Sequence, residues 1–562
     1  MHNIYLLIKR KLGLIAISFL LISSSIVSVG YVDSYFEVSK NLDIFATLFK
    51  ELNVYYVDDT EPGKLMKTGI DAMLKSLDPY TNFYPESDIE DYRFMTTGEY
   101  GGIGAMVRKQ DGNIIIAEPY EGFPAHKAEL EAGDIIEKID GKDISGYTTG
   151  DVSKLLKGAA KTEVKLSIYR KVTDARFDKS LLREDVKIKD VSYYGELDKK
   201  VGYIKLNGFT QTASKELLAA FKDLKETNQI TSLIIDLRGN GGGLLNEAIN
   251  IVNIFVEKGQ EVVSTKGKVK QWDKVHKALN DPVDTKIPLV VLIDEYSASA
   301  SEIVSGTLQD LDRAVVVGRK SYGKGLVQQT RSLSYNAQLK VTVAKYYTPS
   351  GRCIQRIDYS NKDVNGKPGE ITDSLKTEFK TLNNRSVFDG GGIEPDIVVD
   401  SKVPAKITYS LISKNLIFNY ATEFKNLVDS IPEPFTFEVT DTEYEKFKNF
   451  IADKKYDYQT ETEKLLDKLK KKAVEDKLID SLDGIFIELD DKLKRNKSED
   501  VNTFKDEIIR VLENEIVSRY YYQDGRIKID LKHNDEIKKA IEVLTDSVKY
   551  TSILAEPDST QN

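Results

Sequence analysis

The sequence predicts a multidomain α/β protein, and three patterns along the chain carry this prediction. Apolar strand-like runs alternate with amphipathic helices from about residue 183 to 400, glycine-punctuated strands fill about residues 96 to 175, and both ends have helical periodicity. Strand–helix alternation is typical of a parallel sheet with helices packed on it. The 562 residues, 41% of them hydrophobic, are enough for several domains with real cores and exclude a wholly disordered chain.

Residues 1–30 have the pattern of a targeting segment. Three basic residues, Lys9 to Lys11, precede an apolar run from Leu12 to Val29 that is short for a spanning helix. Two interpretations stay open: a signal peptide cleaved near the small-x-small triplet Ser28–Gly30, or a retained anchor in the inner membrane with its positive flank inside. Both predict an exported protein of the periplasm or cell envelope.

Four regions follow the targeting segment. Residues 31–95 place apolar side chains at three- and four-residue spacing, which predicts N-terminal helices. Residues 96–175 predict a compact β-rich module, residues 176–404 an α/β core, and residues 405–562 a domain of charged amphipathic helices. Three roles stay open for this last domain, namely oligomerisation, docking of an adaptor protein, or a cap over the core, and we favour homo-oligomerisation.

Composition excludes several classes of function. The chain has 80 lysines and arginines against 89 aspartates and glutamates, a net charge of −9 without a basic block, so nucleic acid is not an expected partner. The single cysteine, Cys353, allows neither an internal disulfide nor a cysteine-based zinc site. We expect no metal and no cofactor, because metal-ligand spacing is lacking among the four histidines: His2, His126, His276 and His533.

The segment Asp236–Gly243, "DLRGNGGG", lies between an apolar strand and a helix of the α/β core. Consecutive glycines let the backbone approach a ligand and point amides at it, and a following helix N-terminus favours negative charge. The segment has neither a Walker lysine nor the dinucleotide pattern. It therefore predicts an oxyanion-binding turn, with an ordinary tight turn as the alternative.

Two further segments of the core supply a nucleophile and a base. Ser297–Glu302, "SASASE", opens a helix after a strand, as a nucleophile elbow does, although a serine-rich N-cap has the same letters. Ser321–Gln328, "SYGKGLVQ", places a lysine between glycines. Burial would lower the pKa of such a lysine and make it a general base; a surface charge is the alternative. Because the segments contain no histidine, a Ser-Lys pair is the remaining nucleophilic option.

Six motifs occur in order along about residues 35 to 400, namely "SLDPYTNFY", "GEYGGIGAMV", "DLRGNGGGLL", "SASASEI", "GRKSYGKGLVQ" and "LKVTVAKYYTPSGRCIQ". Together they resemble the C-terminal processing peptidases, or tail-specific proteases, which are Ser-Lys proteases with an embedded PDZ domain. The resemblance implies a crotonase- or ClpP-like core with an inserted PDZ domain. It also implies a serine endopeptidase that recognises free C-terminal tails and processes or degrades exported proteins.

The resemblance implies a role for each matching residue of the core. Ser299 would be the nucleophile, Lys324 its general base, and Gln328 the residue that orients the lysine. Ser297 and Ser301 are rival nucleophiles on letters alone, and the register of the family favours Ser299.

The residues around this pair follow from the same resemblance. The backbone amides of Gly242 and Ala300 would form the oxyanion hole. Three charged residues would support the site without carrying protons: Asp236, Arg238 and Glu302.

The PDZ module would select the substrate. Its strand "IGAMV" would pair with an apolar C-terminal tail by β-addition, and the short helix would line the pocket with Val152 and Leu155, for which core packing is the alternative. Backbone amides would capture the tail carboxylate in a loop that consists of Tyr100, Gly101, Gly102, Ile103 and Gly104.

Two other functions compete with this reading. A PDZ scaffold on a catalytically silent protease core would bind tails without cutting them, but the complete set of Ser299, Lys324 and Gln328 argues against it. A crotonase-type acyl-CoA enzyme would use the same glycine turn as an oxyanion hole, but the PDZ module and the export signal argue against that.

Overall fold

The computed structural model of the protein describes residues 35–364, 366–400 and 403–556. The predicted targeting segment, residues 1–30, lies outside the described residues. The chain divides into two compact units, residues 1–83 and residues 84–562. Within the described ranges, no helix has the length and apolar character that a membrane crossing needs. Those same ranges hold no cluster of His, Cys, Asp and Glu that could bind a metal ion.

The first unit is helical, as its sequence periodicity predicts. It contains α1 (35–55) and α2 (Pro62–Lys75), and the short strand β1 (Asn82–Tyr84) follows. Pro62 suits the first turn of α2 because its ring fixes φ and its missing N–H would have no partner there. After α2, the Asp78 carboxylate accepts the amide of Thr81 at 2.8 Å and closes a tight turn.

The second unit begins with the predicted PDZ domain, residues 96–175, called the PDZ region below, in which short helices pack on a β-sheet. The sheet has the order β3-β4-β5-β7-β8, β6 pairs with β5, and β2 pairs with β9 outside it. The elements are α3 (Ile89–Thr97), β2 (Glu99–Gly102), β3 (Ala105–Gln110), β4 (Asn113–Pro119), α4 (Pro124–Lys127), β5 (Ile135–Ile139), β6 (Lys142–Asp143), α5 (Thr149–Leu156), β7 (Glu163–Arg170), β8 (Ala175–Leu182) and β9 (Glu184–Lys187).

A six-stranded sheet forms the centre of the α/β core, in the order β10-β11-β12-β15-β16-β23. Strand β10 is antiparallel to β11, and the other neighbours are parallel. The elements of this sheet and its crossovers are β10 (Val191–Leu197), β11 (Val201–Leu206), α6 (Ala213–Glu226), β12 (Ser232–Asp236), α7 (Leu245–Asn253), β15 (Leu289–Ile293), α8 (Ala300–Asp310), β16 (Val315–Gly318) and β23 (Ile397–Val398).

A second, antiparallel group of strands lies beside this sheet. Strand β18 pairs with both β13 and β17, and β13 also pairs with β14. Two small hairpins, β19–β20 and β21–β22, complete the core. The bounds are β13 (Glu261–Gly267), β14 (Lys274–Lys277), β17 (Leu326–Ser332), β18 (Gln338–Tyr347), β19 (Ile357–Lys362), β20 (Pro368–Glu370), β21 (Glu378–Lys380) and β22 (Ser386–Phe388).

The last part of the chain is helical. Helix α14 contains a kink at Tyr522, where φ is +49°. The helices are α9 (Lys406–Ser413), α10 (Leu416–Leu427), α11 (Asp441–Ile451), α12 (Glu461–Glu475), α13 (Ile479–Thr503), α14 (Lys505–His533), α15 (Asp535–Thr545) and α16 (Ser547–Leu554).

The central sheet is covered on both faces by different parts of the chain. Successive side chains of a strand point to opposite faces, so Leu233 and Ile235 pack with α6, α7 and α8 on one side. Ile234 points to the other side, where Ile537 and Ala540 of α15 cover it. The C-terminal helices therefore complete the hydrophobic core around the central sheet.

The PDZ region also packs on the C-terminal helices. Phe418 of α10 shares a buried apolar cluster with Ile115 of β4 and Ala132. The guanidinium carbons of Arg108 and Arg519 lie 3.9 and 4.4 Å from the centre of the Phe418 ring, so a cation–π contact is made from each partner.

Candidate active site

Three loops that follow adjacent parallel strands meet at one edge of the central sheet. The glycine turn (236–243) follows β12, and the lysine loop (319–325) follows β16. The loop 294–299, which ends at the predicted nucleophile Ser299 and is called the nucleophile loop, follows β15. The carboxyl ends of parallel neighbours lie at the same edge, which is where α/β sheets place their ligands. The structure therefore brings together the three segments that the sequence singled out.

Ser299 has a strained backbone at the start of α8. Its φ of +56° and ψ of −111° lie in a region that side chains other than glycine rarely adopt. Three hydrogen bonds hold this backbone. The Ser299 amide donates to the Glu302 carboxylate at 2.8 Å, and the Ser299 carbonyl accepts the Ile303 amide at 3.0 Å and the Tyr346 hydroxyl at 3.2 Å. Such a turn at a strand-to-helix junction is what projects a nucleophile in hydrolases.

The two rival serines have their hydroxyls committed to structure. The buried Ser297 hydroxyl donates to the Leu237 carbonyl at 2.9 Å, and the buried Ser301 hydroxyl donates to the Asn240 carbonyl at 2.9 Å. The first bond joins the nucleophile loop to the glycine turn, and the second joins the first turn of α8 to it. Ser297 and Ser301 therefore hold the residues around Ser299 against the glycine turn, whereas Ser299 itself is only half-buried.

The glycine turn lies directly against Ser299, the predicted nucleophile. A Cβ atom on Gly242 would lie 2.6 Å from the Ala298 carbonyl oxygen and 2.9 Å from the Ala300 nitrogen, and its φ is +95°. Only glycine fits such a position without a shift of the neighbouring backbone. The Gly242 amide itself donates to the Asn240 side-chain oxygen at 2.9 Å.

Glu302 ties the lysine loop to the nucleophile loop. Besides the Ser299 amide, its buried carboxylate accepts the Ser321 hydroxyl at 2.6 Å and the amides of Gly323 and Lys324 at 2.7 and 2.9 Å. Burial raises the pKa of Glu302 against these four hydrogen bonds, which lower it. Glu302 thus fixes the backbone at both residues of the predicted catalytic pair, Ser299 and Lys324.

Gln328 lies on β17 just after a bulge at Val327. Its side-chain amide donates to the Thr342 hydroxyl of the neighbouring strand β18 at 3.3 Å. The half-buried Lys324 lies four residues earlier in the same segment, as the sequence pattern requires.

Asp236 is the buried centre of a charge cluster under the glycine turn. It accepts Arg238 at 2.6 Å, the Tyr203 hydroxyl at 2.7 Å and Lys205 at 3.2 Å. Burial alone would raise the pKa of Asp236, but the charges of Arg238 and Lys205 outweigh it and hold this pKa well below its usual range. The cluster is closed by Glu536 of α15, which pairs with Arg238.

In the PDZ region, the predicted carboxylate-binding residues divide into two groups. Tyr100, Gly101 and Gly102 belong to β2 and pair with β9, so the backbone groups along one edge of this strand are used within the fold. Ile103 and Gly104 leave that strand, and their carbonyls accept the amides of Ala125 and Tyr120 at 2.8 Å.

The two apolar positions predicted for the tail pocket also differ. Val152 is fully buried in the core of the PDZ region, so core packing, the alternative for this residue, describes it better than pocket lining. Leu155 is half-buried at the margin of the same core.

Sequence reasoning missed the side chains that reach the site from distant parts of the chain. Tyr346 lies in one of the quoted motifs, but no chemical pattern marks its hydroxyl. Asn240 stands between two glycines, and no sequence signal marks its side chain, which donates to the Leu206 carbonyl at 2.8 Å. Glu536 carried no local signal, because it belongs to a charged helix almost 300 residues beyond the glycine turn.

Comparisons with known families define the class of the protein. Residues 200–364 match peptidase family S41, and residues 115–170 match the PDZ domain. Residues 407–544 match the C-terminal helical domain of a probable PDZ-protease. The chain is therefore a serine peptidase with a PDZ domain and a C-terminal helical domain.

Relatives identify the family more closely. A carboxy-terminal-processing protease of Bartonella bacilliformis is 38% identical over 65% of this chain and 77% of its own length. A probable CtpA-like serine protease of Staphylococcus aureus is 33% identical over 76% of this chain and 84% of its own. A solved photosystem II D1 C-terminal processing protease is 26% identical over 63% of this chain and 92% of its own, with a TM-score of 0.34.

The chain belongs to the family of carboxy-terminal-processing proteases. The family, the fold class and the serine endopeptidase activity predicted from the sequence are thereby confirmed. A catalytically silent PDZ scaffold is not supported.

Proposed function

We propose that this protease cleaves its substrates with Ser299 as nucleophile and Lys324 as general base. The observation that carries the proposal is the convergence of three loops on Ser299. The hydroxyls of Ser297 and Ser301 are bonded to backbone carbonyls, while Ser299 has the strained backbone of a nucleophile and lies against the glycine turn.

The chemistry follows from these positions. Lys324 in its neutral form takes the proton of Ser299 as the serine oxygen attacks the scissile carbonyl, and then protonates the leaving amine. Water hydrolyses the acyl-enzyme with the same lysine as base. Gln328 orients the lysine, and Asp236, Arg238 and Glu302 hold the loops without carrying protons.

The oxyanion would be held by the amides of Ala300 and Gly242. The Ala300 amide is the first of α8, at the positive end of the helix dipole. The Gly242 amide is bonded to Asn240, so its use requires that this hydrogen bond be exchanged for one to the oxyanion. A donor of this kind contributes about 3 kcal/mol to transition-state stabilisation.

Substrate selection belongs to the PDZ region. We assign capture of the tail carboxylate to the amides of Ile103 and Gly104, because the residues before them are paired with β9. Strand β3 would pair with the tail, and Leu155 would contact its last apolar side chain. The substrates would be exported proteins with free apolar C-termini.

Partners and location extend this proposal. Residues 1–30 would direct export to the periplasm or cell envelope and, if retained, associate the protein with the membrane. The exposed apolar side chains Leu465, Leu469 and Ile485 of α12 and α13 support homo-oligomerisation or adaptor docking by the C-terminal helices.

Cleavage of a tail peptide tests the proposal. The full chain, purified in mild detergent, is incubated with an apolar-tailed peptide that has either a free or an amidated C-terminus. We expect cleavage of the free form to fall at least about 1,000-fold in Ser299→Ala and Lys324→Ala. Amidation should raise KM without changing kcat.

Matched serine variants are the controls. Ser297→Ala and Ser301→Ala remove hydroxyls on either side of Ser299. The first variant loses the hydrogen bonds of Ser297 with Leu237 and Asp294, and the second loses the bond of Ser301 to Asn240, so both should keep cleavage within about tenfold. If either control abolishes cleavage while Ser299→Ala retains it, the assignment of the nucleophile is wrong.

A further inference from the structure

Glu536 connects the C-terminal helical domain to the proposed catalytic loops. Its carboxylate lies at the start of α15, is 8% exposed, and binds two arginines at once. One oxygen pairs with Arg238 of the glycine turn and the other with Arg319 of the lysine loop. These two loops come from different strands, so one side chain of a third segment spans them.

The first arginine, Arg238, links Glu536 to the glycine turn. Arg238 donates through its other guanidinium nitrogens to Asp236 at 2.9 and 2.6 Å, and its carbonyl accepts Lys205 at 2.6 Å. The next residue, Gly239, donates its amide to Asp294 at 2.9 Å. The start of the glycine turn is thus fixed through Arg238.

The second arginine, Arg319, links Glu536 to the lysine loop. Arg319 donates its amide to the Ile293 carbonyl at 3.0 Å and its Nε to Glu295 at 2.8 Å. Two residues later, Ser321 donates to Glu302, which also holds the Ser299 and Lys324 amides.

Helix α15 holds Glu536 in place. The Asn534 side chain caps the helix by accepting the amides of Glu536 and Ile537 at 3.0 and 3.1 Å. Ile537, Ala540 and Val543 of the same helix are fully buried against the central sheet. The carboxylate therefore sits on a rigid element whose position is set by the sheet that carries the site.

We propose that Glu536 is a positioning residue for proteolysis, through which the C-terminal helical domain keeps the glycine turn and the lysine loop in their catalytic arrangement. The proposal rests on the assignment of Ser299 and Lys324 above. Glu536 does not reach the reacting atoms; it acts through Arg238 and Arg319. Its loss should lower kcat and leave KM nearly unchanged, because the tail is bound elsewhere.

The test uses the full chain with Glu536→Gln, which keeps the shape of the side chain and removes its charge. Two rates are measured: turnover of the free-tailed peptide, and covalent labelling of the active serine by a fluorophosphonate. We expect kcat and the labelling rate to fall at least tenfold, with KM within twofold of wild type. Glu536→Asp, which retains the charge, should restore part of both rates.

Two control variants separate positioning from stability. Asp535→Asn removes the neighbouring carboxylate, which is within 4.0 Å of Lys538, and should label as wild type. Val543→Ala loosens the packing of α15 on the sheet without touching its charges and should lower Tm while keeping the labelling rate.

Each outcome decides the proposal. Wild-type rates in Glu536→Gln, or an equal loss in Asp535→Asn or in a Val543→Ala variant of similar Tm, would overturn it. If Glu536→Gln does not fold, Arg319→Lys takes its place, since lysine cannot hold Glu536 and Glu295 together, and unchanged labelling then overturns the proposal. Labelling that persists in Ser299→Ala would instead refute the catalytic assignment.

Discussion

Replacing Gly242 by alanine measures how tightly the glycine turn packs against Ser299, the proposed nucleophile. The new Cβ would lie 2.6 Å from the Ala298 carbonyl oxygen, where ordinary contact begins at 3.4 Å, so the two loops must separate by about 0.8 Å. The φ of +95° adds backbone strain of about 1–2 kcal/mol. Overpacking of this kind costs about 1–3 kcal/mol more.

The activity should suffer more than the stability. A displacement approaching 1 Å at a reacting centre costs about 100-fold in rate, and loss of an oxyanion donor costs about 100- to 1,000-fold. We therefore expect Gly242→Ala to lower kcat by at least about 100-fold. Urea unfolding should show a loss of stability of about 2–5 kcal/mol, which is the sum of the backbone strain and the overpacking.

The adjacent glycine is the matched control. A Cβ on Gly241 would meet nothing within 4 Å, and its φ is not positive, so Gly241→Ala should keep kcat within about threefold. Both variants are assayed with the free-tailed peptide. If Gly242→Ala keeps wild-type turnover, or Gly241→Ala loses as much, the close packing of the turn does not position the site.

Two further predictions concern groups that support the site. Tyr346→Phe removes only the hydroxyl that donates to the Ser299 carbonyl, and burial raises the pKa of Tyr346, so this hydroxyl stays a donor. We expect kcat of this variant to fall about fivefold. Tyr347→Phe is the control and should leave kcat unchanged. Asp236, whose folded pKa is depressed, contributes stability above its unfolded pKa of about 3.9, and this is lost as pH falls below that value. Urea unfolding between pH 5 and 3 should therefore show a smaller loss of stability in Asp236→Asn than in wild type, and equal losses would contradict this.

Much of the site was predictable because its parts follow consecutive apolar strands. The sequence marks β12, β15 and β16 as buried runs, and each is followed by one of the three chemical segments. Once the strands are parallel neighbours, their carboxyl ends must meet. Gly242, Ser299 and Lys324 are therefore brought together by the order of the strands, although they are far apart in the sequence.

Side chains that reach the site from other parts of the chain cannot be predicted from strand order. Tyr346 reaches Ser299 because β18 crosses the lysine loop, where its amide donates to the Gly325 carbonyl at 3.0 Å. Val152 illustrates the opposite error, since an apolar helix position facing a predicted groove turned out to be fully buried core. In both cases a tertiary contact decides whether the side chain belongs to a site or to the core, and local periodicity is the same for the two.

The role of the C-terminal helices in the sheet has a simple physical cause. A parallel sheet buries both of its faces, so its strands read as continuous apolar runs. The crossover helices α6, α7 and α8 all pack on one face, with Leu233 and Ile235. The other face, with Ile234 and Val290, needs a cover that the protease region does not supply, and α15 and α16 provide it. The helix that buries this face also carries Glu536, which pairs with Arg238 of the glycine turn and Arg319 of the lysine loop.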